Sequence, residues 1–178
     1  MKPRGMLMIE HRLIEKMLDV VKQEAAWDEE TRKIDPLFIS TAVDFVRTYA
    51  DRTHHGKEEE ILFKELKAKP LSAQDRAELD ELIDEHRRSR EQVTALAEAN
   101  ERYERGDDEA AKEMTAIMEW LAEFYPRHIE KEDKGFFPRT EKYFTPEEME
   151  ALLDKFNEFD RRMIHEKYKA VVDSLSER

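Results

Sequence analysis

Apolar residues recur every three or four positions along almost the whole chain, which is the period of a helix with one buried face. The 178 residues include only four glycines and six prolines, so little interrupts this pattern. Alternating runs of β-branched residues, which would indicate strands, do not occur. The sequence therefore predicts an all-α protein built from long helices.

Helix-starting and helix-ending residues divide this pattern into five helices, over about residues 5–26, 36–69, 72–106, 108–140 and 146–178. The start signals are Asp35-Pro36, Ser72 with Asp75, and Thr145-Pro146. Four helices joined by short connections favour an up-and-down four-helix bundle. We expect the bundle over residues 1–140, and an additional C-terminal helix over residues 141–178 that packs on the bundle or forms a dimer surface.

Composition excludes several classes of function. The net charge of −12, from 43 acidic and 31 basic residues, disfavours nucleic acid as a partner. The absence of cysteine excludes disulfides, thiolate zinc sites and iron–sulfur clusters. Neither a signal-peptide pattern nor a membrane span is evident. We therefore expect a cytoplasmic protein, a monomer or homodimer, with no membrane partner.

One histidine falls on the apolar stripe of each of the four bundle helices. These histidines are His11, His55, His86 and His128. Two of them have a glutamate four residues later, Glu59 and Glu132, which places each pair on one helix face. The two histidines of successive helices lie a similar number of residues from the connection that joins those helices. At a rise of about 1.5 Å per residue, all four histidines therefore lie at a similar height in the bundle.

Four inward histidines at one level indicate a metal site, although a single buried histidine would more often be a core residue. The predicted ligands are His11, His55, Glu59, His86, His128 and Glu132. Imidazole and carboxylate without sulfur suit iron, manganese or zinc and disfavour an oxygen-only calcium site. Six ligands would overfill one ion, so we expect two metal ions bridged by the glutamates, with positions left open to a small exogenous ligand.

The second helix offers an alternative pair, because His54 and Glu58 are also four residues apart. A phenylalanine lies eight residues after His55, as one does after His128, and this match favours His55 with Glu59. On that interpretation His54 and Glu58 either support the ligands or are solvated.

Other candidates are assigned to packing or to the surface. His165 lies about twenty residues into the last helix, beyond the expected ligand level, and Glu60 and Asp133 are assigned to polar faces. Three aromatic residues on apolar stripes either fill the core or line the pocket: Tyr49, Trp120 and Tyr125. The Glu-x-x-His pairs of ferritin-like proteins and the His-Glu-x-x-His motif of zinc proteases are missing.

The order of these motifs resembles the hemerythrin-like family, also called hemerythrin/HHE cation-binding proteins. The matching residues are Glu10-His11, His55-x-x-x-Glu59, Glu85-His86 and His128-x-x-x-Glu132, with Leu62-Phe63 and Phe136-Phe137-Pro138 after the paired motifs. The resemblance covers roughly residues 5–140. It implies a four-helix bundle that holds a non-haem di-iron centre, with two iron ions bridged by carboxylates and by oxide or hydroxide.

The chain departs from the oxygen-carrying hemerythrins on its third helix. Those proteins supply a second histidine there, one turn after the first, where this chain has Arg90. The resemblance therefore implies a protein that binds iron and dioxygen, nitric oxide or peroxide in sensing, storage or stress response. Enzymatic decomposition of peroxide is the alternative. A reversible dioxygen carrier or a bundle that the metal only stabilises is disfavoured.

Overall fold

Long helices follow one another along the chain with short connections between them. The computed structural model describes residues 2–31 and 33–176, and in this part of the chain it contains helices and no strands. We number the five long helices α1 (Pro3–Thr31), α2 (residues 36–67), α3 (Ala73–Glu104), α4 (residues 110–140) and α5 (Pro146–Ser176). The all-α prediction is confirmed, and α1 continues beyond its expected end near residue 26.

Two of these helices change their winding along their length. Helix α2 is α-helical over Pro36–Phe45 and Lys64–Lys67, and π-helical over Val46–His55 and Glu58–Phe63. Helix α4 is α-helical over Ala110–Glu130 and Phe137–Thr140, and π-helical over Lys131–Phe136. A short 3₁₀ helix, Glu141–Tyr143, leads to α5. Because a π-helix is wider than an α-helix, it rotates the residues that follow it about the helix axis.

Local hydrogen bonds fix where the helices begin and end. The Ser72 hydroxyl accepts from the backbone N–H of Asp75 at 3.1 Å and caps α3. Thr145 and Glu148 form a reciprocal capping box at the start of α5, with distances of 3.2 and 2.9 Å. Helix α3 ends two residues before Gly106, whose φ of 97° is the left-handed conformation that a glycine adopts at low cost.

The first four helices form the bundle, with α1 packed against α2 and α4, and α3 packed against the same two neighbours. Two apolar cores occupy opposite ends of this bundle. One contains Ile14, Ala50, Val93, Met118 and Leu121, and the other contains Leu7, Leu62, Leu82, Phe136 and Phe137. On each helix the predicted ligands lie between these two cores, so a polar layer crosses the middle of the bundle. The predicted four-helix bundle with an additional C-terminal helix is confirmed.

Helix α5 lies against α1 and against both π-helical segments of α2. Its apolar residues Leu152, Phe156 and Phe159 are buried in this contact. The approach is close at Gly56, since a Cβ atom added there would lie 2.8 Å from Cζ of Phe159. None of the described helices combines the length and the apolar character that a bilayer span needs.

The close approach at Gly56 predicts different outcomes for alanine at two helical glycines. Gly56→Ala should be less stable than Gly135→Ala by about 1–3 kcal/mol, because only the first forces Phe159 to move. A Cβ at residue 135 meets only Glu78 Oε1, at an ordinary 3.6 Å. Urea unfolding of the two metal-free variants measures the difference, and equal stabilities would show that α5 does not pack as closely as described.

Candidate metal centre

Seven buried side chains form two adjoining groups in the polar layer of the bundle. One group contains His55, His86 and His128, and the other contains His11, His54, Glu58 and Glu132. Within each group the potential ligand atoms all lie within 4.8 Å of one another. All seven side chains are buried, so they can enclose a metal ion away from solvent.

The two glutamates lie between the groups and contact both. Glu58 places one carboxylate oxygen 3.3 Å from Nε2 of His54 and the other 3.5 Å from Nε2 of His86. Glu132 places one oxygen 3.3 Å from Nε2 of His11 and the other 3.8 Å from Nε2 of His86. The Glu132 oxygen near His11 is also 3.4 Å from Nε2 of His128, so each carboxylate contacts histidines of both groups.

Several atoms of this layer lack the partner that their burial demands. Within the described residues, both oxygens of Glu58 and of Glu132 make no hydrogen bond, and neither does Nε2 of His86 or His128. A buried carboxylate without a partner is costly, and a bound cation removes that cost. The unpaired atoms are nitrogen and oxygen donors of the kind that iron accepts, so the residues fit a metal centre.

Each of the five histidines is held by a carboxylate through its other ring nitrogen. The pairs are His11 with Asp133 at 2.7 Å, His54 with Glu10 at 2.8 Å, His55 with Asp51 at 3.3 Å, His86 with Glu59 at 2.7 Å and His128 with Glu85 at 2.8 Å. An ionised carboxylate can only accept, so Nδ1 of each imidazole carries the proton. The Nε2 atoms then face the two groups, which is how metal-binding histidines are usually oriented. Nε2 of His54 lies 2.8 Å from Nε2 of His11, so in the metal-free protein one of these two atoms carries a proton that a metal ion would displace.

Basic residues pair with these carboxylates on the side that faces away from the histidines. Arg90 donates to Asp51 at 2.7 Å and to Glu59 at 2.6 Å, and Lys131 donates to Glu85 at 2.6 Å. The two remaining carboxylates are paired with Arg12, which donates to Asp133, and with Lys57, which donates to Glu10. The site thus alternates carboxylate, imidazole, carboxylate and cation from its centre outwards.

Neighbouring charges give the histidines opposite pKa shifts in the metal-free protein. Burial alone would lower the pKa of His54, but the charge of Glu58 and the hydrogen bond to Glu10 outweigh it and raise the pKa to about 10. Burial lowers the pKa of His55 to about 4, against the hydrogen bond to Asp51. His54 must therefore lose a proton when it binds a metal ion, whereas His55 is already neutral.

The structure brings five of the six predicted ligands into the two groups and leaves one outside. His11, His55, His86, His128 and Glu132 lie together. Glu59 lies outside, since it accepts from Nδ1 of His86 and from Arg90, and its side chain is 26% exposed. Its carboxylate orients an imidazole from behind and does not face the other potential ligands.

The other two members of the groups, His54 and Glu58, are the alternative pair on α2 that the phenylalanine spacing disfavours. The phenylalanine match pairs Phe63 with Phe136, whereas all four residues of Leu62-Phe63 and Phe136-Phe137 lie in one apolar core, so the motifs can also be aligned pair to pair. Counting eight residues back from each pair gives His54 and His128, and that spacing is the signal that the sequence offered. The π-helical winding of α2, which the sequence did not reveal, turns Glu58 inwards and Glu59 towards α3.

The remaining candidates occupy outer positions. His165 and Glu60 are exposed. Asp133, which is predicted to lie on a polar face, instead accepts a hydrogen bond from Nδ1 of His11. Tyr125 stacks on His55 with ring centroids 6.3 Å apart, and Trp120 stacks on Phe124 one turn away.

Comparison with known proteins agrees with this geometry. The sequence matches the family model described as the hemerythrin HHE cation binding domain over residues 3–140. The chain belongs to this hemerythrin family. The match spans all four helices of the bundle and ends before α5. Neither the curated proteins nor the solved structures gave a match. Membership of the hemerythrin family, together with the buried histidine–glutamate cluster, identifies a metal-binding protein of an iron-binding family.

The raised pKa of His54 predicts how the stability of the metal-free protein depends on pH. Between pH 6.5 and about 10 the folded state keeps a proton on His54 that the unfolded chain has released, so the free energy of unfolding should fall as pH rises through this range. Denaturant unfolding at a series of pH values measures the slope. His54→Gln should flatten it, and an unchanged slope in that variant would contradict the assignment.

Proposed function

We propose that the protein holds two iron ions in this cluster and binds a small ligand such as dioxygen, nitric oxide or peroxide, in a sensing, storage or stress-response role. The observation that supports the proposal best is the division of seven buried donors into two groups that share two carboxylates. One iron would be held by His55, His86 and His128, and the other by His11 and His54. Glu58 and Glu132 would bridge them.

The two halves of the cluster are unequal, and this inequality supports ligand binding on one side. The first group offers three imidazoles, and the second offers two together with the carboxylates of Glu58 and Glu132. These carboxylates also contact the first group, at 3.5 Å from Nε2 of His86 and 3.4 Å from Nε2 of His128, so they are counted for both. An ion beside His11 and His54 would therefore have one protein ligand fewer than its neighbour. The bound iron pair would supply redox chemistry, and its exogenous ligand would enter at this less crowded half.

Aromatic rings cover the imidazoles and exclude water from the cluster. Phe137 stacks on His11 with ring centroids 6.1 Å apart, and Phe63 stacks on His86 at 5.9 Å. These rings belong to the apolar core that closes one end of the bundle. A small uncharged molecule can enter such surroundings more easily than a hydrated ion, which supports a diatomic ligand.

The residues near the cluster favour binding over turnover of peroxide. Decomposition of peroxide requires proton transfer, and Tyr125, which packs on His55, is a poor donor for it. Its hydroxyl is engaged with Ser89 at 2.8 Å, and burial raises its pKa. Each imidazole Nδ1 proton is likewise committed to a carboxylate. A steady-state peroxide assay on the iron-loaded protein tests this choice, and sustained turnover would favour the enzymatic alternative.

Adjacent glutamates on α2 provide a matched test of the proposed ligand set. Glu58→Gln should reduce iron bound per chain substantially, because it removes a bridging carboxylate. Glu59→Gln should retain the iron pair with affinity lower by about 10-fold, since it weakens only the support of His86.

Metal analysis and the near-ultraviolet absorption of an oxidised iron pair measure the result for both variants. Equal iron loss in the two variants, or a larger loss in Glu59→Gln, would contradict the proposed bridge. Protein purified from its own host provides the reference, and zinc or no metal in that preparation would contradict the iron proposal itself.

A further inference from the structure

Lys57 is a fully buried lysine that lies between the ligands His55 and Glu58 in sequence. Its side chain is 0% exposed. The ammonium group donates to Glu10, the carboxylate that holds Nδ1 of His54. It also lies 2.7 Å from Oδ1 of Asp160, without the alignment of a hydrogen bond, so this second contact is an ion pair. A buried lysine of this kind needs compensating charge on every side.

Asp160 reaches this position from α5, which lies outside the part of the chain that matches the hemerythrin family. The residue before it, Phe159, packs against Gly56, the residue before Lys57. Two consecutive residues of α5 therefore contact the two consecutive residues of α2 that separate the histidines from the glutamates. The C-terminal helix is in contact with the ligand-bearing turn itself.

We propose that Asp160 is a positioning residue for the metal centre: it balances the charge of Lys57, so that Glu10 keeps the imidazole of His54 oriented for binding iron. This inference rests on the proposed function. It gives α5 a specific role at the half of the cluster that contains His11 and His54, where the exogenous ligand would bind.

The reason is the sharing of one cation between two carboxylates. With Asp160 present, the charges of Glu10, Lys57 and Asp160 sum to −1. Without it the sum is zero, and the full charge of Lys57 falls on Glu10. Glu10 then accepts more weakly from His54, and the field near the metal becomes less favourable to a cation. Low dielectric around these buried groups makes the change larger than it would be at the surface.

The other cations of the outer layer differ from Lys57 in exposure. The exposed fractions of Arg12, Arg90 and Lys131 are 53%, 40% and 26%, so water screens their charges. Helix α5 also forms exposed ion pairs with α2, such as that of Glu166 with Arg52. These lie on the surface and contribute little. Among the ion pairs of the described residues, only that of Asp160 with Lys57 connects α5 through a buried charge to a carboxylate that holds a histidine. That carboxylate is Glu10, which holds His54.

The test compares iron binding by three single variants of the full chain. Asp160→Asn should weaken the binding of one of the two iron ions by about tenfold, the lower end of the range for residues that support metal ligands. The second iron, held by three imidazoles, should bind as in the unaltered protein. Asp160→Glu keeps the charge and should restore most of the lost affinity. Asp154→Asn, which changes an exposed acid on the same helix, should bind both ions normally.

Anaerobic titration with ferrous iron against a competing chelator gives the two affinities, and the absorption of the oxidised pair gives a second readout. Thermal unfolding of the metal-free variants identifies a merely structural effect. If Asp160→Asn binds both iron ions with unchanged affinity, the inference is overturned. It is also overturned if the affinity falls equally for both ions and the metal-free variant unfolds at a lower temperature, because that result indicates a general loss of structure. Failure of the unaltered chain to bind iron would instead overturn the proposed function.

Discussion

Five imidazoles and two carboxylates are buried in one layer of a helical bundle, and the rest of the structure depends on keeping them there. Apolar cores on both sides remove water, so each polar atom must find a partner within the protein or bind a cation. The protein meets this requirement for the Nδ1 atoms with carboxylates. The inward-facing atoms of the layer are those that a metal would satisfy.

The same requirement explains the positions of several charged residues around the cluster. Each carboxylate behind an imidazole would itself be poorly solvated, and a basic residue from a neighbouring position compensates it. Arg90 does this twice, for Asp51 and for Glu59. Arg90, one turn after His86, therefore has a defined role, because it holds the carboxylates that orient His55 and His86. The alternation of charge lets a cluster of acids and histidines remain folded.

The sequence was sufficient for the parts of the structure that local physics determines. Local sequence alone predicts three helix boundaries. These are the cap at Ser72, the capping box at Thr145 and the left-handed turn at Gly106. The four inward histidines follow from apolar periodicity. Which of two neighbouring glutamates faces the cluster did not follow, because this depends on the winding of α2. The prediction rests on α-helical geometry, whereas the π-helix over Val46–His55 changes the direction in which later side chains point.

The same winding accounts for the fifth imidazole. A π-helix turns through a smaller angle per residue than an α-helix, so consecutive side chains point in more similar directions. His54 and His55 are neighbours in sequence, yet both face the interior, and they join different groups of the cluster. A single helix thus contributes an imidazole to each half of the cluster. Gly56 and Lys57, which separate the two π-helical segments, are the residues against which α5 packs, so the C-terminal helix meets α2 between its histidines and its glutamates.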